Sequence, residues 1–172
     1  MASRWLSLFF RLLALAPALA HDTHLIAPAL VTTAHNTTQL QCWNLTLPFV
    51  TSSVPGTIGS QSLSFLTRNL TYTVIPPRFD AGLHNAPVPQ LVHFISGVAH
   101  VTLPQQPDGT GLWLVGGKAG LLFAVDTTGQ GHVTQYPSDE VTVGIVAPFE
   151  GGVVPQHTVI KEGACQGMQT FV

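Results

Sequence analysis

Leu83-His84-Asn85-Ala86-Pro87-Val88-Pro89-Gln90-Leu91-Val92-His93-Phe94-Ile95-Ser96-Gly97 is the stretch that decides the fold. A histidine, a polar residue six positions later, an apolar run with the length of a strand and a Gly turn follow one another. His84 and Gln90 bring polar groups to the entrance of that strand. His93 lies an odd number of residues from Gln90, so in a regular strand it faces the opposite side.

The pattern continues on either side. No helical period of convincing length follows the first twenty residues. Strands are expected at Gln39–Leu47, Gln61–Thr67, Leu70–Ile75, Leu91–Ser96, Val98–Leu103, Leu112–Val115, Gly120–Val125, Val133–Tyr136, Val141–Val146 and Gln156–Ile160. Pro107-Asp108-Gly109, Gly116-Gly117, Thr128-Gly129-Gln130-Gly131, Pro137-Ser138-Asp139 and Glu150-Gly151-Gly152 supply turns. Many short strands at regular spacing imply an all-β sandwich, jelly roll or small barrel, and no repeat or linker divides it.

Residues 1–20 read as a signal peptide: Arg4, an apolar stretch from Trp5 to Leu19, and small residues at Ala18 and Ala20. The stretch is short for a bilayer span of roughly 20 residues and no stop-transfer cluster follows, so no stable membrane anchor is expected. One domain, 21–172, is expected in the secretory-pathway lumen or outside the cell. It carries four basic residues (Arg68, Arg78, Lys118, Lys161) against eight acidic ones, a net charge of −4 with His neutral. No basic patch exists, which argues against nucleic acid as a partner. In an oxidising compartment Cys42 and Cys165 are most simply one disulfide, worth up to about 4–5 kcal/mol by loop closure. Asn36-Thr37-Thr38, Asn44-Leu45-Thr46 and Asn69-Leu70-Thr71 are glycosylation sequons and mark Asn36, Asn44 and Asn69 as expected surface positions.

The opening stretch resembles the first motif of the cupin superfamily of small β-barrels: Gly, His-x-His, a Glu four residues on, then Gly. With Gly97 as the final Gly, Gln90 stands at the Glu position, Ala86 at the second His and His84 at the first. His132, in Gly129-Gln130-Gly131-His132, matches the His of the second motif. The resemblance covers roughly residues 75–160 and implies a cupin-like β-barrel or jelly roll. Two of four ligand positions are kept, one is an amide and one is lost. His84, Gln90 and His132 would make a weak metal site, with no negative charge in its first shell. The alternatives are interior histidines held by hydrogen bonds, or a metal-free pocket in which they touch a ligand.

A narrower resemblance is carried by His84-Asn85-Ala86-Pro87, Gly116-Gly117-Lys118-Ala119-Gly120-Leu121-Leu122-Phe123-Ala124-Val125-Asp126-Thr127, Gly131-His132, Tyr136-Pro137-Ser138-Asp139-Glu140 and the late Cys165. These look like small secreted cupin-like proteins of fungi, similar to the hetero-Diels–Alderases of tropolone–sesquiterpene meroterpenoid assembly. The resemblance implies a cofactor-free cycloaddition between an o-quinone methide and a humulene-type alkene, both small apolar natural products. Arg78, Asn85 and Lys118 are the candidate donors to the heterodiene oxygen. His84, Gln90 and His132 would shape the pocket floor, and Phe79, Phe94, Trp113, Phe123 and Tyr136 are candidate apolar walls. Confinement supplies about 7–11 kcal/mol in well-oriented systems, and a good oxyanion donor about 3–4 kcal/mol. Cupin-like sheets pair into dimers, so a homodimer is a further expectation. The competing readings are a metal-dependent cupin oxygenase or isomerase, and a non-catalytic secreted ligand-binding protein.

Overall fold

The computed structural model describes residues 24–107 and 110–165. The signal peptide expected at 1–20 lies outside them. The described residues form β1 (His24–Thr32), β2 (Thr38–Pro48), β3 (Val50–Thr51), β4 (Gln61–Ser62), β5 (Thr71–Ile75), β6 (Phe79–His84) and β7 (Gln90–Ser96). They continue with β8 (Val98–Thr102), β9 (Leu112–Val115), β10 (Leu121–Ala124), β11 (His132–Tyr136), β12 (Thr142–Pro148), a short 3₁₀ turn (Glu150–Gly152) and β13 (His157–Glu162). The fold is all-β, as the short strands and turn residues imply.

A seven-stranded sheet runs β13-β2-β1-β10-β7-β12-β5, a four-stranded sheet runs β6-β11-β8-β9, and β3 pairs with β4. Both larger sheets are open, each with two edge strands. Neighbouring strands are antiparallel except β1 and β10, which run parallel with Ala29 opposite Phe123. Gly97 makes the β7–β8 turn at φ +82°, and a Cβ there would run into Thr142, so the turn requires glycine.

The inner faces of the two larger sheets meet in a core containing Leu30, Leu40, Phe94, Val101, Leu114 and Leu122. A second core lies on the opposite face of the seven-stranded sheet. There Trp43, Leu45, Phe123 and Phe149 are buried, with Phe49, Leu63 and Phe65 packed against them. The seven-stranded sheet is thus covered on both faces around β1 and β10. This explains why Leu121–Ala124 is buried at every position rather than alternately.

The strand expectations from Leu70 onward are met to within a few residues. Three strands escaped sequence reading, one of them the two-residue β3. β1 contains Pro28, a residue that ordinarily argues against a paired strand. β6 follows Pro76-Pro77 and carries Gly82 at φ +65°, so it reads as loop. The strand expected over Gln61–Thr67 is reduced to Gln61–Ser62, plus one isolated bridge from Thr67 to Phe149. Cys42 and Cys165 form the expected disulfide, joining β2 to the segment after β13 across 123 residues. Asn36 and Asn69 are exposed. Asn44 is half-buried in the middle of β2, flanked by Ile26 and Thr158, with its Oδ1 enclosed.

Candidate functional site

Toward the β5–β6 end the two sheets do not fill the space between them. The cavity there measures about 220 Å³. Its walls are apolar: Ile75, Val92, Phe94, Val101, Leu122 and Val146. Phe79, His84 and Pro87 also line it and are exposed, which marks the opening. Edge strands of both sheets reach it, β5 through Thr73 and β6 through Ala81.

One part of the wall is polar. His84 on β6 and His132 on β11 are directly opposed across the strand pair, with ring centroids 4.4 Å apart. The close pairing depends on Gly131, at φ +73°, where a Cβ would lie 2.6 Å from the His84 carbonyl oxygen. His84 Nδ1 lies 2.9 Å from the carbonyl oxygen of Gly82. His132 Nδ1 lies 2.7 Å from Asp126 Oδ2, and both residues are buried. With each Nδ1–H donating to oxygen, each ring is left with Nε2 for other partners. Asp126 Oδ1 is enclosed and has no hydrogen-bond partner among the described residues. Gln90, Tyr136, Thr73 and Thr134 complete the polar lining. Burial pushes the Tyr136 phenol above its ordinary value, so the hydroxyl stays protonated and available as a donor.

The cavity therefore gathers Phe79, His84, Gln90, Phe94, His132 and Tyr136 from the residues named on sequence grounds. Five others stand elsewhere. Arg78, at φ +53°, is exposed and paired through Nε with Asp139. Asn85 turns away from the cavity, its amide donating to the carbonyl oxygens of Asp126 and Thr128. That contact fixes the β10–β11 connection and indirectly supports the Asp126–His132 pair. Lys118 is exposed in the β9–β10 turn, outside the lining. Phe123 is fully buried on the opposite face of its sheet, against Trp43 and Phe149. Trp113 is 53% exposed on the outer face of the four-stranded sheet. Its neighbours Leu112 and Leu114 are the buried ones, so strand alternation contained this signal.

Asp126 was missed. A lone Asp reads as a surface residue, and only the turn through Gly129 and Gly131 folds it back onto His132, six residues later. As a metal site the donor set does not fit a three-ligand catalytic centre. His84 and His132 offer two imidazoles and Gln90 a neutral amide, while the one nearby carboxylate is committed to His132 Nδ1. Ala86, where the cupin motif has a second His, is buried in the lining without a donor atom. Among the described residues no three His, Cys, Asp or Glu side chains converge as a metal-binding group. Scanning protein-family models finds no match to this chain, and searching curated proteins finds none either.

Proposed function

We propose that the chain is a secreted, cupin-like jelly roll whose inter-sheet cavity positions a small apolar reactant with one oxygen end for a cofactor-free cycloaddition. The observation that carries this reading is the composition of the cavity: mostly apolar walls, with His84, Gln90, His132 and Tyr136 beside the hydroxyls of Thr73 and Thr134, and Asp126 behind His132. The disulfide, and the lack of any helix among the described residues long and apolar enough to cross a membrane, are compatible with secretion.

The geometry revises the assignment of roles. Arg78, Asn85 and Lys118 do not line the cavity, so the donors to the heterodiene oxygen are its own polar residues. Tyr136 donates as a phenol and Gln90 as an amide. His132, its Nδ1 held by Asp126, keeps Nε2 for contact with the reactant. Negative charge grows on the carbonyl oxygen of an o-quinone methide as the new bonds form. Fixed donors therefore favour the transition state over the ground state. A cavity of about 220 Å³ is smaller than the roughly 300–1,000 Å³ of typical small-molecule sites. It encloses one reactant, and the alkene partner lies across the opening at Phe79 and Pro87. Covering one face of the heterodiene in this way dictates which of its faces the alkene meets.

The test is a reaction of an o-quinone methide precursor with humulene, with chelator-treated protein present or omitted. The reading expects faster adduct formation and an excess of one stereoisomer, both lost in His132→Ala. An adduct ratio identical to that of the spontaneous reaction refutes it.

A further inference from the structure

The outer face of the four-stranded sheet carries a polar and aromatic row that the cavity chemistry leaves unused. Trp113 on β9 is opposite His100 on β8, His100 is opposite Gln135 on β11, and Gln135 is opposite Asp80 on β6. One residue from each strand thus falls on a single line across the sheet. At 4.7–4.9 Å between strands, the row spans roughly 14 Å.

Its members are already organised. The Trp113 indole stacks on the His100 imidazole, with centroids 4.0 Å apart and planes 10° from parallel. Trp113 nevertheless remains 53% exposed, so one face of the indole is spent on His100 and the other is open. Gln135 Nε2 donates to Asp80 Oδ2 at 3.0 Å, and Asp80 also accepts from the Gly82 N–H. These bonds, that from Gln135 foremost, hold the Asp80 carboxyl below its usual range, so it is an ionised acceptor.

Two shallow depressions flank the row and share Gln135. One is lined by His100 and Gln106, the other by Arg78, Asp80 and Tyr136. In the first, His100 is more than nine-tenths buried. Its Nε2 and the Oε1 of Gln106 are enclosed with no hydrogen-bond partner among the described residues. Such groups normally bond to protein, to water or to a ligand. In the second, the Arg78 guanidinium is already paired with Asp139. The groove therefore offers no unpaired cation to attract phosphate or nucleic acid.

We infer that this face binds a neutral oligosaccharide, with one pyranose ring on the open face of Trp113 and the next units hydrogen-bonded along Gln135 and Asp80. A sugar ring presents an apolar C–H face to an aromatic plane and hydroxyls at its rim. An indole followed by an amide and a carboxylate answers both. Binding to uncharged sugars fits a row whose only net charge is one carboxylate. The row is distinct from the inter-sheet cavity: Trp113, His100, Gln135 and Asp80 all lie outside that cavity's lining, and the second depression borders it only through Phe79 and Tyr136.

The full chain is titrated with tetraoses of β-1,4-glucose, β-1,4-N-acetylglucosamine and α-1,6-mannose, reading the Trp113 indole N–H by NMR. At least one tetraose is expected to shift it saturably while the buried Trp43 indole stays still. Trp113→Ala and Gln135→Ala, titrated by calorimetry because the first variant lacks the indole probe, should each weaken binding by about tenfold, the order expected for losing one aromatic stack or one hydrogen bond. Trp113→Ala should leave the stereochemistry of the cycloaddition unchanged, and the cavity-filling Thr73→Phe should leave sugar binding unchanged. Absence of a saturable shift with every tetraose at millimolar concentration overturns the inference. So does undiminished binding in both variants, shown to be folded by circular dichroism, or abolition of binding by Thr73→Phe, which would put the sugar in the cavity.

Discussion

Replacing His132 by Ala should destabilise the fold far beyond the loss of one imidazole. Asp126 is fully buried, its Oδ2 bonded 2.7 Å from His132 Nδ1 and its Oδ1 without a partner among the described residues. Among the described residues no other hydrogen bond reaches that carboxylate, so His132→Ala leaves it buried and without a partner, at a cost of about 3–5 kcal/mol. With a urea m-value near ~2 kcal/mol/M, the unfolding midpoint falls by about 1.5–2.5 M. Replacing both partners with apolar groups, His132→Phe with Asp126→Leu, removes the charge together with its partner. Such exchanges are often neutral or stabilising, so the double variant should recover most of the loss. The assay is equilibrium urea unfolding at pH 7, followed by tryptophan fluorescence, on wild type, both single variants and the double. A cost below about 1 kcal/mol for His132→Ala, or a double variant no more stable than it, refutes the buried pair as drawn.

Removing the disulfide by Cys42→Ser with Cys165→Ser opens a loop of 123 residues and should cost about 4–5 kcal/mol. Calorimetry should then show the melting temperature lower by about 8–20 °C. Phe123→Ala should cost about 3–5 kcal/mol in the second core, while the stereoisomer ratio of the folded protein at low temperature stays unchanged because that ring faces away from the cavity. Burial pushes both His93 and His100 below the ordinary histidine value. The unfolded chain therefore binds more protons near and below pH 6.5, and stability falls as pH drops through that value toward the folded values. Urea titrations between pH 7.5 and 5 should show this slope reduced in His93→Gln. Finally, Ala86→His with Gln90→Glu adds an imidazole and a carboxylate beside His84 and His132. Calorimetric titration with Ni²⁺ or Co²⁺ should show binding at least about tenfold tighter than in the wild type.

Much of the fold was legible because local signals and burial agree. Leu112–Val115 alternates, and the structure buries Leu112 and Leu114 while exposing Trp113 and Val115. Placing Trp113 among cavity walls ignored that alternation. Phe123 was harder: β10 is covered on both faces, so no periodicity tells which side holds the cavity. β1 and β6 were hidden by Pro28 and by Pro76-Pro77 with Gly82, residues that punctuate strands locally and are overridden here by pairing. His84, Gln90 and His132 were picked out by a spacing that resembles the cupin motif; they line the cavity, and cross-strand register brings the two imidazoles together. Asp126 could not be found that way, since its burial follows from a turn and a tertiary contact. Arg78 and Lys118 drew notice as scarce charges, yet scarcity says nothing of direction. Arg78 finds Asp139 at the surface rather than the cavity.

The most direct test of the central claim is the stereochemistry of the adduct formed with Thr73→Phe protein. Thr73 lines the cavity from edge strand β5, where a larger ring fills space with little demand on the core. If the cavity holds the heterodiene, the folded variant should give the rate and isomer ratio of the uncatalysed reaction, while wild type gives one isomer in excess. A Thr73→Phe variant as fast and as selective as wild type would contradict the claim and move the reaction elsewhere on the molecule.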